Sequence, residues 1–283
     1  MTFFIFGAGY SGRAFALTQS APVYGTTRDP THFGTLKAAN VIPLLFDGVN
    51  LNTSLTSALE KTTHLIISIP PTAKEDIVLA LSDLRNRVPA LQWIGYLSTV
   101  GVYGNHDGRW INEAAPCQTT LPRNRKRIEA EKAWQRFARQ HNIPLAILRL
   151  AGIYGPDRNA FVKLQQSKAH RIIKPGQVFN RIHVVDIAGA IKHLADNKHC
   201  GIFNICDNEP ASPQDVVTFA ARLIGVQAPP EIPFEKADIS PMARSFYADN
   251  KRVSNELLIK TGYHLNYPDY RQALTAIWQA QDW

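Results

Sequence analysis

The stretch that decides the fold opens the chain and reads Thr2-Phe3-Phe4-Ile5-Phe6-Gly7-Ala8-Gly9-Tyr10-Ser11-Gly12. An apolar run ends here in a Gly-x-Gly-x-x-Gly turn, and residues 13–17 continue with helical character. A glycine triplet between a buried strand and a helix is typical of dinucleotide binding. We expect Gly7 to allow the tight turn, Gly9 to let the backbone approach a pyrophosphate, and Gly12 to let helix and strand pack closely. The alternative is a glycine-rich turn without a ligand.

Tyr10 and Ser11 complete this predicted turn at the start of the helix. The first N–H groups of a helix have no intrahelical partner and carry partial positive charge, which favours phosphate. Both residues are therefore included among the expected cofactor contacts.

The composition is that of an ordinary globular protein. The 283 residues are 45% hydrophobic and 19% charged, and a chain of this length folds as one or two domains. The first apolar run is too short for a signal or membrane segment and has no basic stretch before it. We expect a cytoplasmic protein without a membrane partner. The three cysteines lack metal-ligand spacing, so we expect thiols and no metal site.

The net charge of +8 raises the question of nucleic-acid binding. The densest basic cluster, 123–127, runs directly into Glu129 and Glu131 and contains no aromatic residue for base stacking. An anionic small ligand such as a nucleotide accounts for positive charge equally well. The sequence therefore favours a small-molecule substrate over nucleic acid and does not indicate an oligomeric state.

Short apolar runs alternate with helical patterns through the first two-thirds of the chain. The predicted strands are Phe3–Phe6, Val23–Thr26, Val41–Leu45, His64–Ile69, Gln92–Leu97 and Leu145–Arg149. Such near-continuous apolar runs are typical of strands covered on both faces. The apolar face of one predicted helix consists of Ala130, Ala133, Trp134, Phe137 and Ala138. The alternation predicts an α/β fold with a doubly wound parallel Rossmann sheet, whose ligands bind beyond the carboxyl ends of the strands.

The rhythm becomes irregular after Pro156. The later predicted elements are a strand over 201–205, a loop over 227–240 and helices over 249–261 and 270–278. The predicted domains are a Rossmann domain of residues 1–156, to which 181–206 returns, and a smaller C-terminal substrate lobe of 157–180 and 207–283.

The end of the second predicted strand indicates the cofactor. It reads Thr26-Thr27-Arg28-Asp29. NAD-binding proteins usually place an acidic residue at this tip, whereas NADP-binding proteins place an arginine against the 2′-phosphate. A guanidinium group binds phosphate through two parallel hydrogen bonds. Arg28 therefore favours NADP, with NAD as the alternative if Arg28 is only a solvated surface residue.

Four later stretches complete a series of motifs. They are Tyr96-Leu97-Ser98-Thr99-Val100-Gly101-Val102-Tyr103-Gly104, Leu148-Arg149-Leu150-Ala151-Gly152-Ile153-Tyr154-Gly155-Pro156, Arg181-Ile182-His183-Val184-Val185-Asp186 and Phe203-Asn204-Ile205. Together with the glycine turn, in this order, the series resembles the extended short-chain dehydrogenase/reductases, also called the NAD-dependent epimerase/dehydratase family. The resemblance spans nearly the whole chain.

The resemblance implies further site residues. In that family a serine or threonine at the end of the fifth strand is catalytic, which here implies Thr99, with Ser98 as the adjacent alternative. The Thr99 hydroxyl would bind the substrate oxygen, although both hydroxyls could instead cap the strand. Asp47 resembles the family's adenine-contacting aspartate, and Pro70 and Pro71 would lie near the nicotinamide ribose and pyrophosphate.

The family's Tyr-x-x-x-Lys pair has no counterpart at the expected place. Glu131 fits the glutamate that follows the pair, which aligns Arg127 with the lysine and Arg123 with the tyrosine. Arginine stays protonated and cannot act as the base. Arg127 could still hold the ribose or a phosphate, and Arg123 could stabilise an oxyanion. Tyr103 and Tyr154 are candidate replacement acids or simply packed aromatic residues.

A Tyr-x-x-x-Lys spacing does occur at Tyr247 and Lys251, but it lies in the predicted small lobe, and we interpret it as coincidental. The leading hypothesis is an NAD(P)-dependent oxidoreductase or epimerase/dehydratase-like enzyme acting on a small polar substrate, nucleotide-linked substrates included. The alternative is a catalytically silent NADP(H)-binding redox sensor or regulatory protein. The missing tyrosine favours the sensor, and Thr99 together with a full-length substrate lobe favours the enzyme.

Overall fold

The computed structural model describes residues 1–72 and 76–283. The chain divides into two compact units. Unit 1 comprises Met1–Val102, Thr120–Arg149 and Ile187–Phe203, and unit 2 comprises Tyr103–Thr119, Leu150–Asp186 and Asn204–Trp283. The boundaries of these units differ from those of the predicted domains. The assignment of one domain to the cofactor and the other to the substrate stays a prediction.

The strands are short, and most are apolar. They are β1 (Phe3–Phe6), β2 (Val23–Thr27), β3 (Val41–Leu45), β4 (His64–Ile67), β5 (Trp93–Thr99), β6 (Trp110–Ile111), β7 (Leu145–Leu150), β8 (Gly152–Tyr154), β9 (Arg171–Ile173), β10 (Arg181–His183), β11 (Gly201–Ile205), β12 (Glu231–Pro233) and β13 (Arg252–Val253).

The helices connect them in chain order. They are α1 (Tyr10–Leu17), α2 (Phe33–Ala38), α3 (Thr53–Glu60), α4 (Leu84–Arg87), α5 (Pro122–His141), α6 (Ala160–Gln165), α7 (Val184–Asp196), α8 (Pro213–Leu223), α9 (Pro241–Phe246), α10 (Glu256–Lys260) and α11 (Tyr270–Ala280). Short 3-10 turns follow β2, β5 and β12.

The main sheet has seven strands in the order β11-β7-β5-β4-β1-β2-β3. β1 pairs in parallel with β2 on one side and with β4 on the other, and the outer pairs β2–β3 and β4–β5 are also parallel. The chain moves outward from β1 to β3 and then returns to β4, so the order reverses beside β1. Ligands of such sheets bind at this reversal, beyond the carboxyl ends of the strands. The predicted doubly wound α/β fold is confirmed.

The core of unit 1 lies between the sheet and its helices. All four residues of β1 are buried, and Phe6 packs edge-on against Phe46 with ring centroids 5.2 Å apart. From α5, Trp134 is fully buried and lies 6.4 Å from the Tyr96 ring of β5. Burial of an aromatic side chain stabilises the fold by about 1.5–3 kcal/mol, so the apolar face predicted for α5 is one of the main contacts that hold it on the sheet.

Unit 2 has its own core and three two-stranded sheets. Phe161 of α6 and Tyr270 and Leu274 of α11 are buried in one apolar cluster. The Asp186 carboxylate accepts hydrogen bonds from the Tyr263 hydroxyl and from the backbone N–H of Tyr267, at 3.0 Å each. This carboxylate therefore anchors the segment that precedes α11 to the first turn of α7.

Two local predictions in unit 2 are wrong in part. The stretch predicted as loop over 227–240 contains β12, which pairs in parallel with β9. The helix predicted over 249–261 is limited to α10, because β13 pairs with β6 instead. In both cases a partner strand distant in sequence overrides the local pattern. No helix within residues 1–72 and 76–283 is long and apolar enough to cross a membrane.

Candidate functional site

The first glycine of the turn occupies a backbone position that requires glycine. Gly7 follows β1 with φ of +82°, and a Cβ atom there would lie 2.8 Å from Cγ1 of Ile69. Its N–H donates to the Thr26 hydroxyl at 2.8 Å. Because L side chains rarely adopt this conformation and the space is filled, any other residue would displace the end of β1.

The second glycine faces open space. Gly9 is the N-cap residue of α1, it is exposed, and a Cβ atom built on it meets no other atom within 4 Å. Tyr10 and Ser11 begin the helix behind it. Gly12 is buried, and a Cβ atom there would lie 3.3 Å from Cγ2 of Ile5. The turn thus combines a close-packed helix with an accessible helix N-terminus, a geometry that fits a dinucleotide pyrophosphate.

Arg28 and Asp29 have different environments at the end of β2. The Asp29 carboxylate accepts from the backbone N–H and the hydroxyl of Thr31, at 2.9 and 2.7 Å, and these bonds lower the pKa of Asp29. Asp29 therefore caps the 3-10 turn Pro30–His32. Arg28 is exposed and makes no hydrogen bond or ion pair within the described part of the chain. Of these two neighbours, it is the arginine whose side chain is available to a ligand.

Asp47, Pro70 and Pro71 lie at the same edge of the sheet, after β3 and β4. The Asp47 carboxylate accepts from the backbone N–H groups of Val49 and Asn50, at 2.9 and 2.8 Å, and from the Asn50 amide at 2.8 Å. These hydrogen bonds lower the pKa of Asp47 to about 2, and the bonds from the backbone N–H groups of Asn50 and Val49 have the largest effects. Pro70 is exposed and Pro71 half-buried. The ionised Asp47 side chain thus stabilises the turn after β3.

Ser98 and Thr99 end β5, and consecutive strand residues point to opposite faces of a sheet. The Ser98 hydroxyl is buried and donates to Oε1 of Glu131 on α5 at 2.5 Å. Thr99 is half-buried, and its hydroxyl oxygen accepts from the backbone N–H of Gly101 at 3.1 Å. Within residues 1–72 and 76–283 no group accepts the Thr99 hydroxyl proton. Of the two neighbouring hydroxyls, that of Thr99 is free to donate to a ligand.

Glu131 also binds Arg149 on β7. Nη2 of Arg149 lies 2.7 Å from Oε2 of Glu131, and Nε lies 3.3 Å from Oε1. Both side chains are almost fully buried, at 5% and 4% exposure. A buried carboxylate requires such a partner, because an unpaired charge away from water is strongly destabilising.

The first turns of α5 carry the two arginines aligned with the family pair. Arg127 is half-buried and its Nη1 donates to the backbone carbonyl of Leu97 at 2.7 Å. Arg123 is exposed one turn earlier. Between them Asn124 is buried and its amide donates to the Gly101 carbonyl at 2.9 Å. α5 contains no tyrosine.

Tyr103 and Tyr154 are both committed to the interior of unit 2. The Tyr103 hydroxyl is fully buried and donates to Oδ1 of Asn204 at 2.7 Å, a bond it would have to leave to reach a substrate. Tyr154 packs edge-on against His183 with ring centroids 5.3 Å apart. Burial raises the pKa of Tyr154 well above its ordinary value, which opposes a role as a base.

Tyr247 and Lys251 also lie in unit 2 and have different surroundings. The Tyr247 ring packs against Phe179 and Phe234, with centroids 5.1 and 5.0 Å away. The Lys251 ammonium donates to the Gly104 carbonyl at 2.8 Å. The spacing of these two residues is therefore accounted for by packing and backbone contacts.

Two contacts were not anticipated from the sequence. One is the Glu131–Arg149 pair, for which a signal existed, since Arg149 is the single charge in the buried strand β7. The other joins α5 to the segment after β4, where the Trp134 indole N–H donates to Oδ2 of Asp76 at 3.1 Å. Burial raises the pKa of Asp76. In the described part of the chain no group of three or more His, Cys, Asp or Glu could hold a metal ion.

The sheet order, the glycine turn and the position of the site define an α/β protein of the Rossmann type. A family model described as the NAD dependent epimerase/dehydratase family matches residues 87–206. This part of the chain is therefore similar to that family. A comparison with curated proteins found no match.

Solved structures match over nearly the whole length. A functionally unknown conserved protein from Silicibacter pomeroyi DSS is 41% identical, with a TM-score of 0.89 over 100% of this chain and 99% of that one. UDP-glucuronic acid 4-epimerase from Bacillus cereus in complex with NAD is 17% identical, with a TM-score of 0.78 over 99% and 96%. A human epimerase family protein with NADPH is 15% identical, with a TM-score of 0.73 over 99% and 99%. The last two likenesses concern the fold.

Proposed function

We propose that this chain binds NADP(H) in preference to NAD(H) and acts as an oxidoreductase or epimerase/dehydratase-like enzyme on a small polar substrate. The observation that carries the proposal is the open space at Gly9, in front of the N-terminus of α1. The exposed Arg28 at the end of β2 supports the choice of NADP(H), since a guanidinium suits the 2′-phosphate. The solved structures with NAD and with NADPH are compatible with either cofactor.

The bound nicotinamide would supply a hydride acceptor or donor, and the chain would supply orientation and hydrogen bonds. The glycine turn holds the pyrophosphate through backbone N–H groups, and Arg127 binds the nicotinamide ribose. Thr99 donates its hydroxyl proton to the substrate oxygen, and Arg123 stabilises negative charge that develops on it. Arg123 and Arg127 remain cationic and take no part in proton transfer.

Tyr103 remains a candidate proton donor, although its hydroxyl already donates to Asn204. We assign no proton transfer to Tyr154, Tyr247 or Lys251. Nucleotide-linked sugars are the substrate class to test first, because the Bacillus cereus relative is a UDP-sugar epimerase.

A catalytically silent redox sensor is the second candidate. The absence of a tyrosine from α5 favours it, since a phenol is the family's usual acid/base and Tyr96, Tyr103 and Tyr154 are all buried. The two candidates share cofactor binding and differ only in turnover.

Fluorescence titration of the purified protein with NADPH and NADH tests the shared part. We expect saturable binding of both and tighter binding of NADPH. Small carbonyl compounds are then incubated with deuterated NADPH, and nucleotide-linked sugars with NADP⁺ and with NAD⁺, to separate enzyme from sensor. Deuterium transfer to a carbonyl compound, or conversion of a nucleotide-linked sugar into a product, supports the enzyme, whereas cofactor binding without either favours the sensor. Binding of neither cofactor would reject both.

A further inference from the structure

The Glu131 carboxylate is the meeting point of three elements of unit 1. It receives the Ser98 hydroxyl of β5 at 2.5 Å and the Arg149 guanidinium of β7 at 2.7 and 3.3 Å. All three side chains are buried. Helix α5 is therefore fixed to two neighbouring strands by directional, charge-assisted bonds, which are stronger and more sensitive to geometry than apolar contacts.

Arg127 lies one helical turn before Glu131 and binds the adjacent residue of β5. Residues four apart lie on the same face of a helix. Glu131 holds the side chain of Ser98, while Arg127 holds the backbone carbonyl of Leu97. A shift of α5 by one residue would rotate both side chains by about 100°. The two bonds therefore fix the position of α5 along its axis and its rotation about it.

Stability alone does not account for a buried ion pair in this place. Replacing such a pair by apolar residues of similar volume is often neutral or stabilising, because the desolvation of two charges offsets their attraction. What an apolar replacement loses is the directional fit.

We propose that Glu131 and Arg149 are positioning residues that hold the Arg127 guanidinium, and through Ser98 the Thr99 hydroxyl, in place at the end of β5. Ser98 then acts within this network and does not touch the substrate. The inference rests on the proposed function, because Arg127 is the group through which the network reaches the cofactor.

The test compares two matched double variants on α5 and its partner. One is Glu131→Met with Arg149→Leu, which replaces the buried pair by apolar residues. The control is Glu129→Met with Arg136→Leu, which makes substitutions of the same kind at exposed positions of α5. Each is measured for thermal unfolding and NADPH affinity, alone and combined with Arg127→Gln.

We expect the buried-pair variant to fold with an unfolding midpoint at or somewhat below that of the wild type, because the Ser98 hydroxyl loses its acceptor. It should bind NADPH roughly tenfold more weakly, as expected for loss of one charge-assisted bond. Arg127→Gln should weaken NADPH binding roughly tenfold in the wild type and in the control. In the buried-pair variant it should add no more than about a twofold loss. This non-additivity is the signature of coupling between the pair and Arg127.

Wild-type affinity in the buried-pair variant, or an equal effect of Arg127→Gln in all three backgrounds, overturns the inference. If that variant does not fold, the NADPH affinity of Arg149→Lys is measured in its place, since lysine keeps the charge and loses the bidentate geometry. Weaker binding by Arg149→Lys supports the inference, and wild-type affinity overturns it. If the wild type binds neither NADPH nor NADH, the proposed function fails. A crystal structure of the buried-pair variant without cofactor then tests the positioning role separately. An Arg127 side chain still bonded to the Leu97 carbonyl in that structure would contradict the inference.

Discussion

The backbone N–H of Gly7 donates to the side-chain hydroxyl of Thr26 at 2.8 Å. This bond ties the first residue of the glycine turn to β2, two residues before Arg28. The turn and Arg28 therefore have a defined spatial relationship within unit 1. In a dinucleotide-binding sheet these two places hold the pyrophosphate and the 2′-substituent of the adenosine ribose.

Arg28→Ala should weaken NADPH binding by ~1.5–3 kcal/mol, the range for a hydrogen bond to a charged group, and leave NADH binding nearly unchanged. Calorimetric titration of both cofactors measures the two effects. Lys61→Ala serves as control, since Lys61 is also exposed but lies after the C-terminal end of α3. Equal weakening of NADPH and NADH by Arg28→Ala would remove Arg28 from this role.

Thr99→Val should lower turnover by roughly 10²-fold once a substrate is known, because in the proposed function the Thr99 hydroxyl is the donor to the substrate oxygen. Tyr247→Phe should change turnover only slightly, since the Tyr247 ring is packed between Phe179 and Phe234. Steady-state kinetics of the two variants, with NADPH binding as a check on the fold, makes the comparison. The reverse ranking, with Tyr247→Phe inactive and Thr99→Val active, would contradict our assignment.

His64 should make the stability of the protein depend on pH. It is buried at the start of β4 between the rings of Phe3 and Trp93, and burial lowers its pKa from 6.5 to about 4. Between these values the unfolded chain binds a proton that the folded chain does not. The stabilising contribution is therefore complete above pH 6.5 and is lost as the pH falls toward 4.

Urea unfolding of wild type and His64→Gln between pH 7 and 5 measures this contribution. The free energy of unfolding of the wild type should fall more steeply, by up to about 1.4 kcal/mol per pH unit for one proton. His32→Gln, at an exposed histidine, should follow the wild type. Parallel curves for wild type and His64→Gln would show that His64 titrates normally in the folded state.

The sheet could be predicted from the sequence because its strands are locally encoded. β1, β3 and β11 have the predicted bounds, since each is an apolar run, interrupted only by Asn204 in β11, that is visible without knowledge of its neighbours. β5 extends to Thr99 although Ser98 and Thr99 are polar. The sequence could not show this extension, because the partner that satisfies the buried Ser98 hydroxyl is Glu131 on α5.

The short strands of unit 2 could not be predicted for the same reason. β12 ends in Pro233 and directly follows Pro230, a pattern that predicts a loop. Its residues nevertheless pair with β9, where Glu231 lies opposite Arg171. The features of the candidate site also fall into two groups, those that local sequence predicts and those that only the folded chain brings together. The glycine turn and Arg28 follow from local sequence, whereas the contacts of Glu131 and Tyr103 depend on residues brought together only by the fold.

The most direct test of the central claim is the NADPH affinity of Gly9→Val compared with Gly34→Val, measured by calorimetry. A Cβ atom meets nothing within 4 Å at either glycine, so both variants should fold with an unfolding midpoint near that of the wild type. Gly34 lies on α2, outside the turn. We predict that Gly34→Val binds NADPH like the wild type and that Gly9→Val shows no detectable binding, because its branched side chain fills the space in front of α1. Unchanged affinity in Gly9→Val would contradict the claim that this turn binds the dinucleotide.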